Sequence, residues 1–331
     1  MKIKYLPYQP HCFAFGGFEL QMLSTFNAVK AQGLDVQKLD VWSRDSTFDV
    51  LHCWGIDIAN YENVYWAKRS QKKVVVTALI SYFETFKQVA KFNLSSIFYK
   101  QRLVKEMVDY IDVIVAINDE QAELFKKFYK VPSHKLSVIP NIVDDRFFEL
   151  RSQVKNNDPT NDYILCVGNI CRRKNQVLLA QACAENNIPL ILIGKTIAGE
   201  EQYETQLVRI IEKSVNIQWI KGLEANSDEL LKYFMNCRAF ALLSYMEQQP
   251  ISLLEAAVLN KPLIIANRAY AKQKYYSGSY LVNTDSVAHI KKGVDLIWDT
   301  PEVYRPNIEI LQDCKGSAVA GAYTNLYERL K

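Results

Sequence analysis

The sequence predicts an α/β protein built as two Rossmann-like domains in tandem, and three observations lead there. Short β-rich runs alternate with helix-period segments from end to end, a polar Asn/Asp/Pro tract interrupts the alternation once, and the alternation then restarts. At 331 residues, with 49% hydrophobic and 23% charged side chains, the chain is long enough for two cores of ordinary size.

In the first half, strands are expected at 2–6, 49–53, 73–79, 113–118 and 136–140, with helices between them such as 18–31 and 119–130. Val- and Ile-rich runs of this length suit a parallel sheet covered on both faces. The tract RSQVKNNDPTND at 151–162 loses apolar periodicity as a linker does, so the first domain is expected over 1–150 and the second over 151–305. There YILCVG, LILIG, IQWIKG, AFALLS and PLIIA read as strands. Helices are expected from about Lys174, through Gln206, over 227–236 and after Pro250. Pro301 and Pro306 then break the pattern, and GSAVAGAYTNLYERL within 306–331 reads as a last amphipathic helix. Sheets of this kind bind ligands at the carboxyl ends of their strands, so the two domains are expected to face each other across a ligand-holding cleft.

Composition excludes several functions. Forty Lys and Arg against 36 Asp and Glu leave a net charge of +4, spread evenly over the two halves, whereas a nucleic-acid binder is usually more lopsided. Seven cysteines without a C-x-x-C pair and four scattered histidines, at 11, 52, 134 and 289, indicate neither a disulfide framework nor a zinc site. No Asp-x-Asp suited to a divalent cation occurs, so neither a metal nor a cofactor is expected. No apolar stretch reaches signal-peptide or membrane-spanning length, and a cytoplasmic location is the expectation.

The chemistry concentrates at 244–257, SYMEQQPISLLEAA. A helix starting near Pro250 places Glu255 between Ile251, Leu254 and Val258 on one face, where an aliphatic side chain would be ordinary. Burying a carboxylate costs several kcal/mol unless donors meet it, so this position calls for a partner: a bound ligand, or a nearby Lys or backbone amide. Upstream, strand AFALLS delivers Glu247 at the sheet edge, just ahead of a helix N-terminus whose amides and dipole suit an anion. Two carboxylates beside such amides fit a nucleotide-diphosphate sugar, the acids taking hydroxyls and the amides phosphates.

Taken with NKPLIIA, this stretch resembles the E-x7-E block of the GT-B glycosyltransferases of retaining family 4. Further segments fall in that family's order: FGGFEL at 15–20, DVLHCW at 49–54, VIPNIVD at 138–144, ILCVGNICRRKN at 164–175 and GLEANSDELLKYFMNCRAFALLSY leading into the glutamate pair. The resemblance implies a GT-B fold whose last helix crosses back to pack on the N-terminal domain. It implies an enzyme that moves a hexosyl group from a nucleotide-diphosphate sugar to a glycan or lipid-linked acceptor with retention of configuration, in surface polysaccharide biosynthesis. Glu247, with Lys174 and Arg173, is then the catalytic group: Glu247 contacts the transferred sugar while the cations neutralise the leaving diphosphate. Donor binding falls to Gly16, Gly17, Glu255, Gln248, Gln249, Ile251, Asn169 and Gly168, with Glu255 on the ribose and the glycine pair letting backbone approach the diphosphate. His52, His11 and Asn141 are further candidates, the two histidines also reading as structural hydrogen-bonders.

The family pattern is not followed throughout. Asn169 stands where the family carries Arg, Leu79 or a neighbour where it carries a histidine, and EQQP replaces E-G-F-G, so that Pro250 removes one amide. A catalytically inactive partner of the same fold, or a nucleotide-sugar epimerase or hydrolase, are the alternative functions. Between 83 and 105, Phe83, Phe86, Phe92, Phe98 and Tyr99 lie among Lys87, Lys91, Lys100, Arg102 and Lys105, with Glu84 the only acid. This basic aromatic stretch reads either as an interfacial helix on an anionic membrane face or as a core helix with a basic outer side.

Overall fold

Short apolar runs form parallel strands in both halves of the chain, as their Val and Ile content favours. The computed structural model describes residues 1–13, 16–83, 85–95, 99–154 and 162–331. Two units emerge: Met1–Ile142 with Asp313–Lys331, and Val143–Gln312. The boundary thus falls between Ile142 and Val143 rather than after residue 150. The polar tract misled because the helix before it, Asp145–Leu150, packs with the second unit. The second unit likewise runs to Gln312, past the expected end at 305.

In the first unit, β1 (Lys2–Leu6), β2 (Asp35–Lys38), β3 (Val50–Trp54), β4 (Lys73–Thr77), β5 (Val113–Ala116) and β6 (Leu136–Val138) pair in parallel in the order β2-β1-β3-β4-β5-β6. Helices α1 (Gly17–Ala31), α2 (Tyr61–Arg69), α3 (Phe86–Ser95), α4 (Tyr99–Tyr110) and α5 (Asp119–Tyr129) connect them. Alternation along the strands divides the core in two. Ile3, Tyr5, Val75 and Val115 face α1 and the C-terminal helix Gly316–Glu328, whereas Leu51, Cys53, Val74 and Val76 face α2, α4 and α5.

The second unit opens with α6 (Asp145–Leu150) and continues through β7 (Ile164–Val167), α7 (Gln176–Glu185), β8 (Leu190–Ile193), α8 (Glu201–Ile211) and β9 (Ile217–Ile220). After these come α9 (Asp228–Asn236), β10 (Ala239–Leu242), α10 (Ile251–Val258), β11 (Leu263–Ala266), β12 (Tyr280–Val282) and α11 (Val287–Asp299). All six strands are parallel, ordered β12-β11-β10-β7-β8-β9. The strand order reverses between β7 and β10, the arrangement in which a doubly wound sheet opens a crevice at its carboxyl edge. The C-terminal helix, α12, belongs to the first unit, where Tyr327 Oη meets Tyr5 Oη at 2.7 Å and Gln32 Nε2 donates to Ser317 O.

Within 83–105 the described residues include α3 and the start of α4; Glu84 and Phe98 lie outside the described residues. Part of the stretch is core. Phe92 is buried against Phe83 and Phe128, with ring centroids 5.1 and 5.3 Å away, and the Lys105 ammonium sits over it. Phe86, Leu94 and Tyr99 are exposed, beside exposed Lys87 and Lys91. Among the described residues no helix is long and apolar enough to cross a membrane. All seven cysteines are free, and Cys12 alone among them is exposed.

Candidate functional site

The topology brings two loops together, the one leaving β7 and the one leaving β10, and the amide of Tyr245 donates to Arg173 O at 2.8 Å between them. The β7 loop is shaped by close packing. Gly168 adopts φ +150°, and a Cβ at Gly194, at the end of β8, would lie 2.0 Å from Gly168 O, so neither position accepts a side chain without moving backbone. Buried Gln176 then ties the loop from inside, its Nε2 donating to Asn169 O at 2.8 Å.

A single 3₁₀ turn, Arg172–Lys174, follows, closed by Asn175 at φ 59°. The turn separates its three cations. Arg172 leans away toward Glu200 and the Tyr203 ring, while Lys174 folds back across Gly168, into the space that glycine leaves. Lys174 Nζ reaches Glu247 Oε1 at 2.8 Å, and Arg173 Nη1 reaches the same oxygen at 2.6 Å while also donating to Met246 O at 2.7 Å. Glu247 is 8% exposed and Lys174 likewise 8%. Burial alone would raise the Glu247 carboxyl, yet Lys174 and Arg173 together hold it below the ordinary range.

Glu255 lies one turn into α10 in the opposite electrostatic condition. The helix is enclosed almost all round, with 253–258 buried, so Glu255 sits inside an apolar element rather than on one stripe of an amphipathic helix. Burial, with the neighbouring charge of Asp144, pushes its carboxyl up to about 8. Among the described residues no cation or hydrogen-bond donor meets this side chain, so the Lys or amide partner weighed from sequence is not found. Asp144 is itself occupied: it caps α6 through the Arg146 amide at 2.9 Å and holds the Arg146 guanidinium. Arg146 in turn reaches Asp228 and Asn226 O.

The remaining candidates of this unit line the same edge. Gln249 is buried and donates to Gln273, whose own amide donates to Gln248 O, fixing the turn before α10. Ile251 begins α10, and Ser252 Oγ ties that first turn to Val167 O at 3.1 Å. Asn169 is exposed at the loop's start. Sequence reasoning missed Gln273, Ser252, Gln176 and Asp144. Asp144 could have been flagged as the last residue of VIPNIVD, but the other three are polar residues whose value depends on which backbone they reach.

The first unit holds the other candidates. Gly16 caps α1, and its amide is taken by Glu19 at 2.9 Å; its backbone is extended, and a Cβ there would meet only ordinary contacts, so the local fold does not demand glycine. Gly17 is the first residue of α1, and Asn141 is buried near the end of β6. His11 lies in a turn, partly buried. His52 must be corrected as a ligand candidate: it is 0% exposed, with Nδ1 on Tyr327 Oη at 2.6 Å and Nε2 on Thr77 Oγ1 at 2.8 Å, and burial lowers its pKa to about 3. Enclosure with both ring nitrogens engaged makes it a structural hydrogen-bonder.

Comparison with known proteins gives the family and the fold. The Glycosyl transferases group 1 profile matches residues 147–309, and the Glycosyltransferase Family 4 profile matches 22–147. The chain belongs to the family 4, group 1 glycosyltransferases and has their GT-B fold. No curated protein matches it by sequence. Among solved structures, sucrose-phosphate synthase from Thermosynechococcus elongatus superposes with a TM-score of 0.75 at 15% identity, covering 100% of this chain and 99% of that one. HepE from Anabaena, crystallised with UDP and glucose, gives 0.67 at 14% identity over 100% and 99%. WaaG, a glycosyltransferase involved in lipopolysaccharide biosynthesis, gives 0.63 at 14% identity over 100% of both chains. In this glycosyltransferase the E-x7-E pair is a buried, cation-paired acid followed by a buried acid with no partner among the described residues, both at the switch point of the second sheet.

Proposed function

We propose that this glycosyltransferase takes a nucleotide-diphosphate hexose as donor and passes the sugar, with retention of configuration, to a glycan or lipid-linked acceptor in surface polysaccharide assembly. The observation that carries the reading is Glu247, buried at the switch point with Lys174 and Arg173 on one of its oxygens, eight residues before an acid with no partner among the described residues. Glu247 grips hydroxyls of the transferred sugar, Glu255 accepts the ribose hydroxyls that no protein donor replaces, and Lys174 with Arg173 neutralises the departing diphosphate. Fixed cations aimed at that charge fill the role a divalent ion plays elsewhere, which supports a metal-independent reaction without a cofactor. The amides opening α10 add to them. HepE was crystallised with UDP and with UDP-glucose, so UDP sugars are the donors to try first.

Steady-state kinetics separate the two acids. Glu255→Gln is expected mainly to raise the donor KM, about tenfold, and Glu247→Ala mainly to lower kcat by about 10²-fold or more. Equal and negligible effects would refute the assignment.

The lipid-linked acceptor is the reading favoured by the exposed Phe86, Leu94 and Tyr99 beside Lys87 and Lys91, which suit a peripheral position on the anionic cytoplasmic membrane face. Co-sedimentation with anionic liposomes should fall severalfold when Lys87, Lys91, Arg102 and Lys105 are neutralised. Unchanged pelleting removes the membrane from the account.

A further inference from the structure

One oxygen of Glu247 is taken twice. Arg173 Nη1 lies 2.6 Å and Lys174 Nζ 2.8 Å from Oε1, and Arg173 is also tethered to Met246 O in the same turn. The acid that is to hold sugar hydroxyls is thus engaged by the two cations that are to hold the diphosphate. The two roles compete while these contacts persist, since a guanidinium or ammonium that closes on phosphate oxygens gives up part of its hold on the carboxylate. The two cations differ in freedom. The Arg173 side chain is 43% exposed and can swing, whereas that of Lys174 is 10% exposed and confined over Gly168.

We propose that the Glu247 subsite is closed by Arg173 and Lys174 in the unliganded protein and opens only to a ligand bearing a diphosphate, which draws both cations off the carboxylate and frees it for the sugar. The inference rests on the donor-site reading above and adds an order to it: phosphates are recognised first, the sugar second. Free sugars carry no charge to separate the ion pair, and a sugar monophosphate presents one anionic group where a diphosphate presents two, one for each cation, so the site discriminates by phosphate number before it reads the sugar. Once the sugar has left and the nucleoside diphosphate departs, the cations return to Glu247 and the subsite shuts.

The test turns on a sign. Removing the charge at Glu247 releases the cations in advance, so Glu247→Gln is expected to bind a nucleoside diphosphate more tightly than the wild type, on the order of tenfold. If Glu247 instead holds Lys174 and Arg173 in place for phosphate, the same substitution weakens binding. Isothermal titration of the full chain with UDP, GDP and ADP finds the diphosphate that binds the wild type, and the variant is then titrated with it. A gain for the diphosphate, with no comparable gain for the nucleotide sugar, supports the inference. Equal or weaker diphosphate binding by a variant that still melts cooperatively overturns it, and leaves the donor-site reading standing. Should Glu247→Gln not fold, Glu247→Asp, which withdraws the carboxylate by one methylene, must show the same direction of change. Failure of the wild type to bind any of the three overturns both readings.

Discussion

Glu255 and Glu247 are eight residues apart and titrate in opposite directions: burial raises both, but Lys174 and Arg173 outweigh it at Glu247, while at Glu255 the charge of Asp144 adds to it. For Glu255, the pKa of about 8 in the fold against an ordinary 4.5 means that the native state holds a proton the unfolded chain releases. Its contribution is complete below pH 4.5 and is lost as pH climbs toward 8. Glu255→Gln should therefore melt close to wild type at pH 5 and several degrees higher at pH 8, reflecting up to a few kcal/mol. A difference that stays constant across that range would contradict it. Gly194 sets a second residue-scale test, in its contact with Gly168 O: Gly194→Ala should lower stability by about 2–4 kcal/mol in a denaturant melt, together with nucleotide affinity, since the displaced backbone carries Lys174. The E-x7-E spacing and the basic turn were legible in the sequence because they are local. That Arg172 would diverge from Arg173 and Lys174 was not, since it depends on a single 3₁₀ turn and on where Glu200 lies.

At the scale of elements, the strands most plainly legible in the sequence were those buried on both faces, such as β4 and β10, whose apolar runs are unbroken. Strands β2 and β12 were not anticipated. Both are sheet edges: DVQK is polar with only Val36 buried, and YLV is three residues long, too short to show a period. The membership of α12 in the first unit was expected from resemblance rather than from periodicity, and it is secured by polar groups that no pattern reveals. Tyr327 joins Tyr5 and His52, while Tyr323 joins Thr77 at 3.0 Å, all of them buried. His52 gives this latch a pH dependence. Its pKa falls from an ordinary 6.5 to about 3 in the fold, so the unfolded chain binds the proton first, and stability drops as pH falls from 6.5 toward 3. Tyr5, Tyr323 and Tyr327, the titratable groups around it, are pushed up by burial and stay neutral in that window. His52→Gln should flatten this acid limb of the melting curve. An acid limb as steep as that of the wild type would show that other groups produce it.

For the whole molecule, a chain with two doubly wound sheets concentrates its buried cation–carboxylate chemistry in the second, at the point where strand order reverses. The domain count followed from alternation and length, but the boundary did not, because the polar tract at 151–162 announces a loop without saying which side α6 packs on. The account predicts that this protein consumes a nucleotide-diphosphate sugar when an acceptor is supplied. The most direct measurement is release of nucleoside diphosphate from a panel of labelled sugar donors, with and without a glycan and lipid-linked acceptor extract, for wild type and Glu247→Ala. Acceptor-dependent release from one donor, lost in the variant, is the predicted result. No donor turned over in any condition, or a variant as active as wild type, would contradict the site and the function assigned to it.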